Sequence, residues 1–159
     1  IVSWERIRDE FIKILKTKKP SIGLIILQKN RLMKIIFPEI DTMYGMEQTP
    51  EWHHKDIFAH TLQVVDNAAK LTDKMDIRFA ALVHDIAKPG TRRIHPKKGY
   101  TFHGHDAVGE KMLDKVGKKA AHKITLNTPT ARISRTKNHR HALALKSSYQ
   151  IFKIPKIGR

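Results

Sequence analysis

Apolar residues recur at helical spacing over most of the chain before residue 117. Between residues 3 and 18, Ile7, Phe11, Ile14 and Leu15 fall on one face, Ser3 is placed to cap the N-terminus and Glu5 suits the first turn. Pro20 ends this helix, because the residue before a proline is driven out of the α region. Two short helices are predicted over 21–28 and 31–36, meeting at Asn30, which tolerates left-handed geometry, and Pro38 closes the group. Residues 39–55 carry Gly45 and Pro50 without a clear period and read as a loop. A longer helix follows from Asp56 to Leu71, with Phe58, Leu62, Val65 and Ala69 in step and His60 upon it. The Ala-rich stretch Asp76 to Lys88 predicts the next helix, ending at Lys88-Pro89-Gly90, so that His84-Asp85 falls in its last turns. Residues 89–105 read as a basic loop, and Asp106 to Val116 restarts a helix. No strong strand pattern precedes residue 117, so the fold class expected is all-α. Beyond Val116 the period fades into TLNTPT and a closing YQIFKIPKIGR, which suggests a short extended segment.

Length and composition narrow this picture. A chain of 159 residues is one domain by length and can bury a real core. It has no Cys, which removes disulfides, thiolate nucleophiles and Cys-ligated zinc. The longest apolar run, Ile22 to Leu27, cannot span a bilayer, and no signal-peptide layout opens the chain, so a cytoplasmic location is expected. The first residue is Ile, inside a helical pattern, as expected of a segment of something longer. Charge is unevenly placed. Residues 1–116 hold all 15 acids against 20 Lys and Arg, whereas 117–159 hold 11 Lys and Arg and no acid. Such a balance favours polyanions, nucleic acid first, although a solvated basic tail has the same composition.

The chemistry concentrates at His84-Asp85 within FAALVHDIAK, with His60 before it and Lys88, His103 and His105 after it. Burying an imidazole and a carboxylate together is costly unless a cation compensates, and neutral imidazole with carboxylate suits Mn, Fe, Zn, Co or Mg. His60 alone would be an ordinary packed or surface histidine; the combination of three helices gives it weight. Lys88, one turn after His84, can meet a phosphate oxygen as a point charge. His103 and His105 could ligate a second metal or contact a leaving oxygen, with Gly104 permitting close approach. His53 and His54, before Lys55-Asp56, fit a polar helix start. Arg92, Arg93, His95, Lys97 and Lys98 form either a nucleotide-facing edge or a solvated loop.

These residues resemble the HD superfamily of all-helical metal-dependent phosphohydrolases, whose pattern is H…HD…D. They are more closely similar to the HD-containing C-terminal part of bacterial tRNA nucleotidyltransferases, the CCA-adding and poly(A) polymerase family. The opening SWERIRDEFIKILKTKKPSIGLIILQKNRLMKIIFPEI, then HHKDIFAHTLQVVDNAAKL, then RFAALVHDIAKPGTR…FHGHDAVGEKML carry the likeness, over about residues 3–116. It implies an HD-like helical bundle with three parts: RNA-binding-type helices over 1–40, an HD domain over 41–116 and a basic tail over 117–159. It implies His60, His84 and Asp85 as ligands of a divalent metal (Mn, Ni, Mg, Fe or Co), with Lys88, His103 and His105 binding phosphate or assisting the leaving group. RNA, above all tRNA, and a nucleotide or phosphoester are the implied partners. A metal-dependent phosphohydrolase is the first expectation, and a non-catalytic RNA-binding scaffold with a degenerate site is the second. The departures are specific. No catalytic head with a Gly-Ser motif and paired aspartates is present, so nucleotidyl transfer is not expected. No Asp follows Asp114, so the family's last ligand is missing unless Asp106 replaces it. The likeness stops near Val116, and the acid-free tail is either a basic extension for RNA or, the favoured reading, an out-of-frame continuation.

Overall fold

The computed structural model describes residues 2–47, 56–97 and 99–127. His53, His54, Lys98 and all of 128–159, where the extended segment and most of the basic tail fall, lie outside the described residues. Helices α1 (Trp4–Lys16), α2 (Pro20–Lys29), α3 (Met33–Ile36) and α4 (Pro38–Asp41) come first. They are followed by α5 (Ile57–Leu71), α6 (Met75–Val83), α7 (Lys88–Thr91), a hairpin of β1 (Arg93–His95) and β2 (Gly99–Thr101), and α8 (His105–Asn127). The fold is helical, as the periodicity predicts.

Local chemistry accounts for most boundaries. The Ser3 hydroxyl accepts from the Arg6 amide at the start of α1, and Pro20 occupies the first turn of α2, where its missing N–H costs nothing. Asp56 caps α5 by accepting from the Ala59 amide at 2.6 Å, and its other oxygen accepts from the Gly45 amide at 2.7 Å, tying the preceding loop to the helix start. Asn30 does not take the left-handed position. Its φ is −88° and its side chain donates to the Ile26 carbonyl, while Arg31 carries the positive φ of 58°.

The structure corrects the sequence expectation in four further places. A helical turn, α4, occupies residues at the edge of the expected 39–55 loop. Helix α6 stops at Val83 rather than Lys88, leaving His84 to Ala87 as a tight turn. The basic loop contains an antiparallel hairpin that pairs Arg93 with Thr101, Ile94 with Tyr100 and His95 with Gly99. Ile94, Tyr100 and Thr101 favour strands, and Gly99 supplies the φ of +66° that the return requires, but three residues per strand are too few to show a period. Finally, α8 continues past Val116 to Asn127; Lys118-Lys119-Ala120-Ala121 are strong helix formers even without an apolar stripe.

One core serves the helices other than α7. Phe11 and Leu15 of α1, Leu24 of α2, Met33, Ile40 and Met43 pack with Ile57, Phe58, Leu62, Val64, Val65 and Ala68 of α5 and with Ala81, Leu82 and Val83 of α6. Burying each large aliphatic side chain stabilises the fold by roughly 1.5–3 kcal/mol. Helices α1 and α2 approach so closely that a Cβ on Gly23 would stand 2.6 Å from Ile14 Cγ2. Ser21 joins α2 to α5, its amide donating to Asp66 Oδ1 at 2.9 Å and its hydroxyl to Oδ2 at 2.7 Å. Helix α8 lays Met112, Leu113 and Val116 on the core and brings Gly109 beside Ile86 and Ala87, which sets its first residue against the His84–Ala87 turn.

Arg78 of α6 is 2 % exposed, and all of its donors are used. Nε donates to Thr72 O, Nη1 to Leu15 O and Thr17 O, and Nη2 to Ala69 O and Asp73 Oδ1, at 2.8–3.1 Å. The guanidinium therefore satisfies carbonyls at the C-terminal ends of α1 and α5 together, where a positive charge is also favoured by both helix dipoles. Arg78→Met should lower unfolding free energy by about 3 kcal/mol or more, read by urea denaturation, because several buried carbonyls lose their donor at once. Gly23→Ala gains helix propensity of about 1 kcal/mol but should still destabilise by roughly 1 kcal/mol net, because the branched Ile14 must move. A midpoint equal to or above wild type would contradict that packing.

Candidate metal centre

Three helix ends converge on Asp85. Helix α5 presents His60 in its first turn, where the His60 amide donates to Asp56 O at 3.0 Å. The turn after α6 carries His84 and Asp85, α7 begins with Lys88 and α8 begins with His105. Ligand atoms of His60, His84 and Asp85 all lie within 4.8 Å of one another. The two imidazole rings stand 5.4 Å apart between centroids, tilted by 59°. Asp85 is 2 % exposed, and Lys88 Nζ lies 2.8 Å from its Oδ2. His84 Nε2 is 3.1 Å and His60 Nε2 3.8 Å from the same oxygen, while His105 Nε2 is 3.7 Å from Oδ1.

Backbone carbonyls orient two of the rings. His84 Nδ1 lies 2.9 Å from Ala81 O and His105 Nδ1 lies 2.8 Å from Phe102 O. A carbonyl only accepts, so each Nδ1 donates its N–H to it and each ring turns Nε2 toward Asp85. This is the arrangement that fixes a histidine as a metal ligand. Asp85 Oδ2 is moreover buried with no well-directed hydrogen bond; Lys88 approaches it as a charge rather than along a good hydrogen-bond direction. Burial pushes the Asp85 carboxyl up, but the nearby His84 imidazole, followed by the Lys88 ammonium, outweighs it and holds the group well below the usual carboxylate range. An ionised carboxylate with an orphaned oxygen, beside two imidazole nitrogens, fits a divalent cation in its donor chemistry.

Of the residues singled out from the sequence, the structure gathers His60, His84, Asp85, Lys88 and His105. It does not gather His103, which is exposed on the turn before α8 and forms no ion pair with Asp85. Gly104, at φ +72°, is the reason: the left-handed residue between the two histidines sends His105 inward and leaves His103 in solvent. Asp106 is exposed in the first turn of α8 and does not join the group. Phe102 carries a role that the sequence does not signal. Its carbonyl orients His105, and its ring lies 5.5 Å from Lys88 Nζ. The only local sign is its position three residues before His105, which carries no distinctive chemistry on its own.

Histidines and a buried aspartate from several helix ends thus gather around one point, a group that could hold a metal ion within a helical domain. The chain belongs to the HD domain family, whose model matches residues 57–145, past the Val116 limit of the likeness seen in the residues. A second model, described as a probable RNA- and SrmB-binding site of polymerase A, matches residues 1–44. The multifunctional CCA protein of Vibrio campbellii is 37% identical over 114 residues, 70% of this chain and 27% of that protein. The chain thus spans about a quarter of the length of that relative. No solved structure matches it. Among the described residues no helix is long and apolar enough to cross a membrane.

The geometry predicts that Mn(II), followed by titration calorimetry, binds the wild-type chain and binds His84→Ala at least tenfold more weakly. Equal binding by the two proteins would remove His84 from the ligand set.

Proposed function

We propose that the chain is part of a CCA-adding-type protein active at RNA ends, and that its HD domain hydrolyses phosphoesters with a divalent metal held by His60, His84 and Asp85. The observation that carries this reading is the buried Asp85 Oδ2, which accepts no well-directed hydrogen bond and faces the Nε2 atoms of His84 and His60 beside the Lys88 ammonium. When bound, the cation would supply Lewis acidity and a nucleophile from water at neutral pH. The chain's own residues do the rest. Lys88, now paired with Asp85, is placed to neutralise phosphoryl charge, and the Phe102 ring holds its ammonium at the edge of the site. His105, oriented by Phe102 O, stands beside Asp85 at the edge of the site, where it would face a phosphate or leaving oxygen. The HD membership and the RNA-binding match support tRNA or another RNA as partner, with 2′,3′-cyclic phosphates, nucleotides and RNA ends as substrates. A cytoplasmic location belongs to the same proposal.

A second reading is favoured by one observation. Among the described residues the group holds only three ligands, with no further carboxylate where the H…HD…D pattern has its last Asp. Under it, the module binds RNA without catalysis, binding falls steeply with salt and it survives Asp85→Ala.

Purified protein supplied with Mn, Ni or Mg should hydrolyse bis(p-nitrophenyl) phosphate or a nucleoside 2′,3′-cyclic phosphate, and EDTA should abolish this. His84→Ala should cost on the order of a hundredfold or more in kcat/KM, and Lys88→Ala about a hundredfold. Hydrolysis that persists undiminished in His84→Ala would defeat the catalytic reading.

A further inference from the structure

The β1–β2 hairpin is the part of the site's surroundings that metal and phosphate chemistry leave without a role. Its stem rises between two residues of the site: Lys88 precedes it through α7, and His105 follows it through Phe102. From Ile86 to His105 the chain carries five Lys and Arg and no acid, so this arm presents unbalanced positive charge. On one face, the Arg92 guanidinium lies 3.6 Å from the centroid of the Tyr100 ring. Ile94, cross-strand partner of Tyr100, is 79% exposed beside this stack. A planar cation on an aromatic ring, extended by an exposed aliphatic side chain, is a surface that nucleobases extend by stacking. A double helix hides those base faces, whereas a single strand offers them.

We infer that the Arg92–Tyr100–Ile94 face of the hairpin is a docking site for a base of single-stranded RNA whose phosphoester end lies at Asp85. The inference rests on the proposed function for what sits at Asp85, and on the hairpin alone for what grips the strand. Position along the chain supports it. Arg92 directly follows α7, the short helix that begins with Lys88. Tyr100 is two residues from Phe102, which touches both Lys88 and the orientation of His105. The stack and the charged pocket are therefore placed to hold a base and a nearby phosphate of one strand. The cations of the arm act on the backbone of the same strand without regard to sequence.

A short single-stranded RNA with 4-thiouridine at its 3′ end, irradiated with the full chain, should cross-link within Gly99–Lys111, the tryptic segment that holds Tyr100. Fluorescence anisotropy of the same RNA should show Tyr100→Ala and Arg92→Ala each binding about tenfold more weakly. Tyr100→Phe, which keeps the ring, should bind as wild type, and circular dichroism of Tyr100→Ala should retain the helical signal. These measurements need no turnover, so they decide the docking site even if the chain hydrolyses nothing. If hydrolysis occurs, Tyr100→Ala should raise KM for the oligonucleotide while kcat is retained. Cross-links confined to other segments, wild-type affinity in Tyr100→Ala, or equal affinity for duplex RNA would each overturn the inference.

Discussion

The arrangement depends on a single buried guanidinium. Arg78 gathers the carbonyls that end α1 and α5, and it does so from within α6. Helix ends buried without donors would be expensive, and no uncharged side chain presents five N–H groups in the required fork. The apolar core would tolerate several relative positions of these helices; the fork tolerates one. Because α5 carries His60 and α6 leads directly to His84 and Asp85, the positions that Arg78 fixes are those on which the candidate metal centre is assembled. The segment matched as an RNA-binding site of polymerase A and the segment matched as an HD domain are therefore joined in one core, with Ser21 and Asp66 adding a second polar link.

The centre itself is built almost wholly from the ends of elements. His84 and Asp85 sit in the turn after α6, Lys88 and His105 start helices, and His60 lies one turn from the Asp56 cap. Side chains at helix ends can converge on a point, whereas those in helix middles are committed to a face. The placement has an electrostatic cost, since Asp85 is desolvated. The surrounding imidazoles and ammonium offset it for the charge as a whole, yet Oδ2 lacks a directed partner.

Some of this is plain in the sequence. Helix starts at Ser3 and Asp56 and the interruption at Pro20 are legible because each rests on chemistry within four residues of itself. The trio His60, His84 and Asp85 is legible because an adjacent His-Asp inside an apolar run is costly to bury unless a cation joins it. Arg78 is not, since Leu15 and Thr17 lie more than sixty residues away and contribute only carbonyls, which every residue possesses. Choosing between His103 and His105 needs the φ of Gly104. The hairpin escapes a sequence reading because three-residue strands show no period, and the continuation of α8 because propensity without amphipathicity leaves no stripe to see.

The hairpin also has a mechanical meaning. Lys88 and His105 both face Asp85, and residues 89–104 join them along the chain through the rest of α7, the β-ribbon and the turn that carries Phe102. The ribbon is thus the bend of a pair of tweezers whose tips are an ammonium and an imidazole. The tips are also held from behind, where Gly109 of α8 packs beside Ile86 and Ala87, so the gap between them is set by the core as well as by the ribbon.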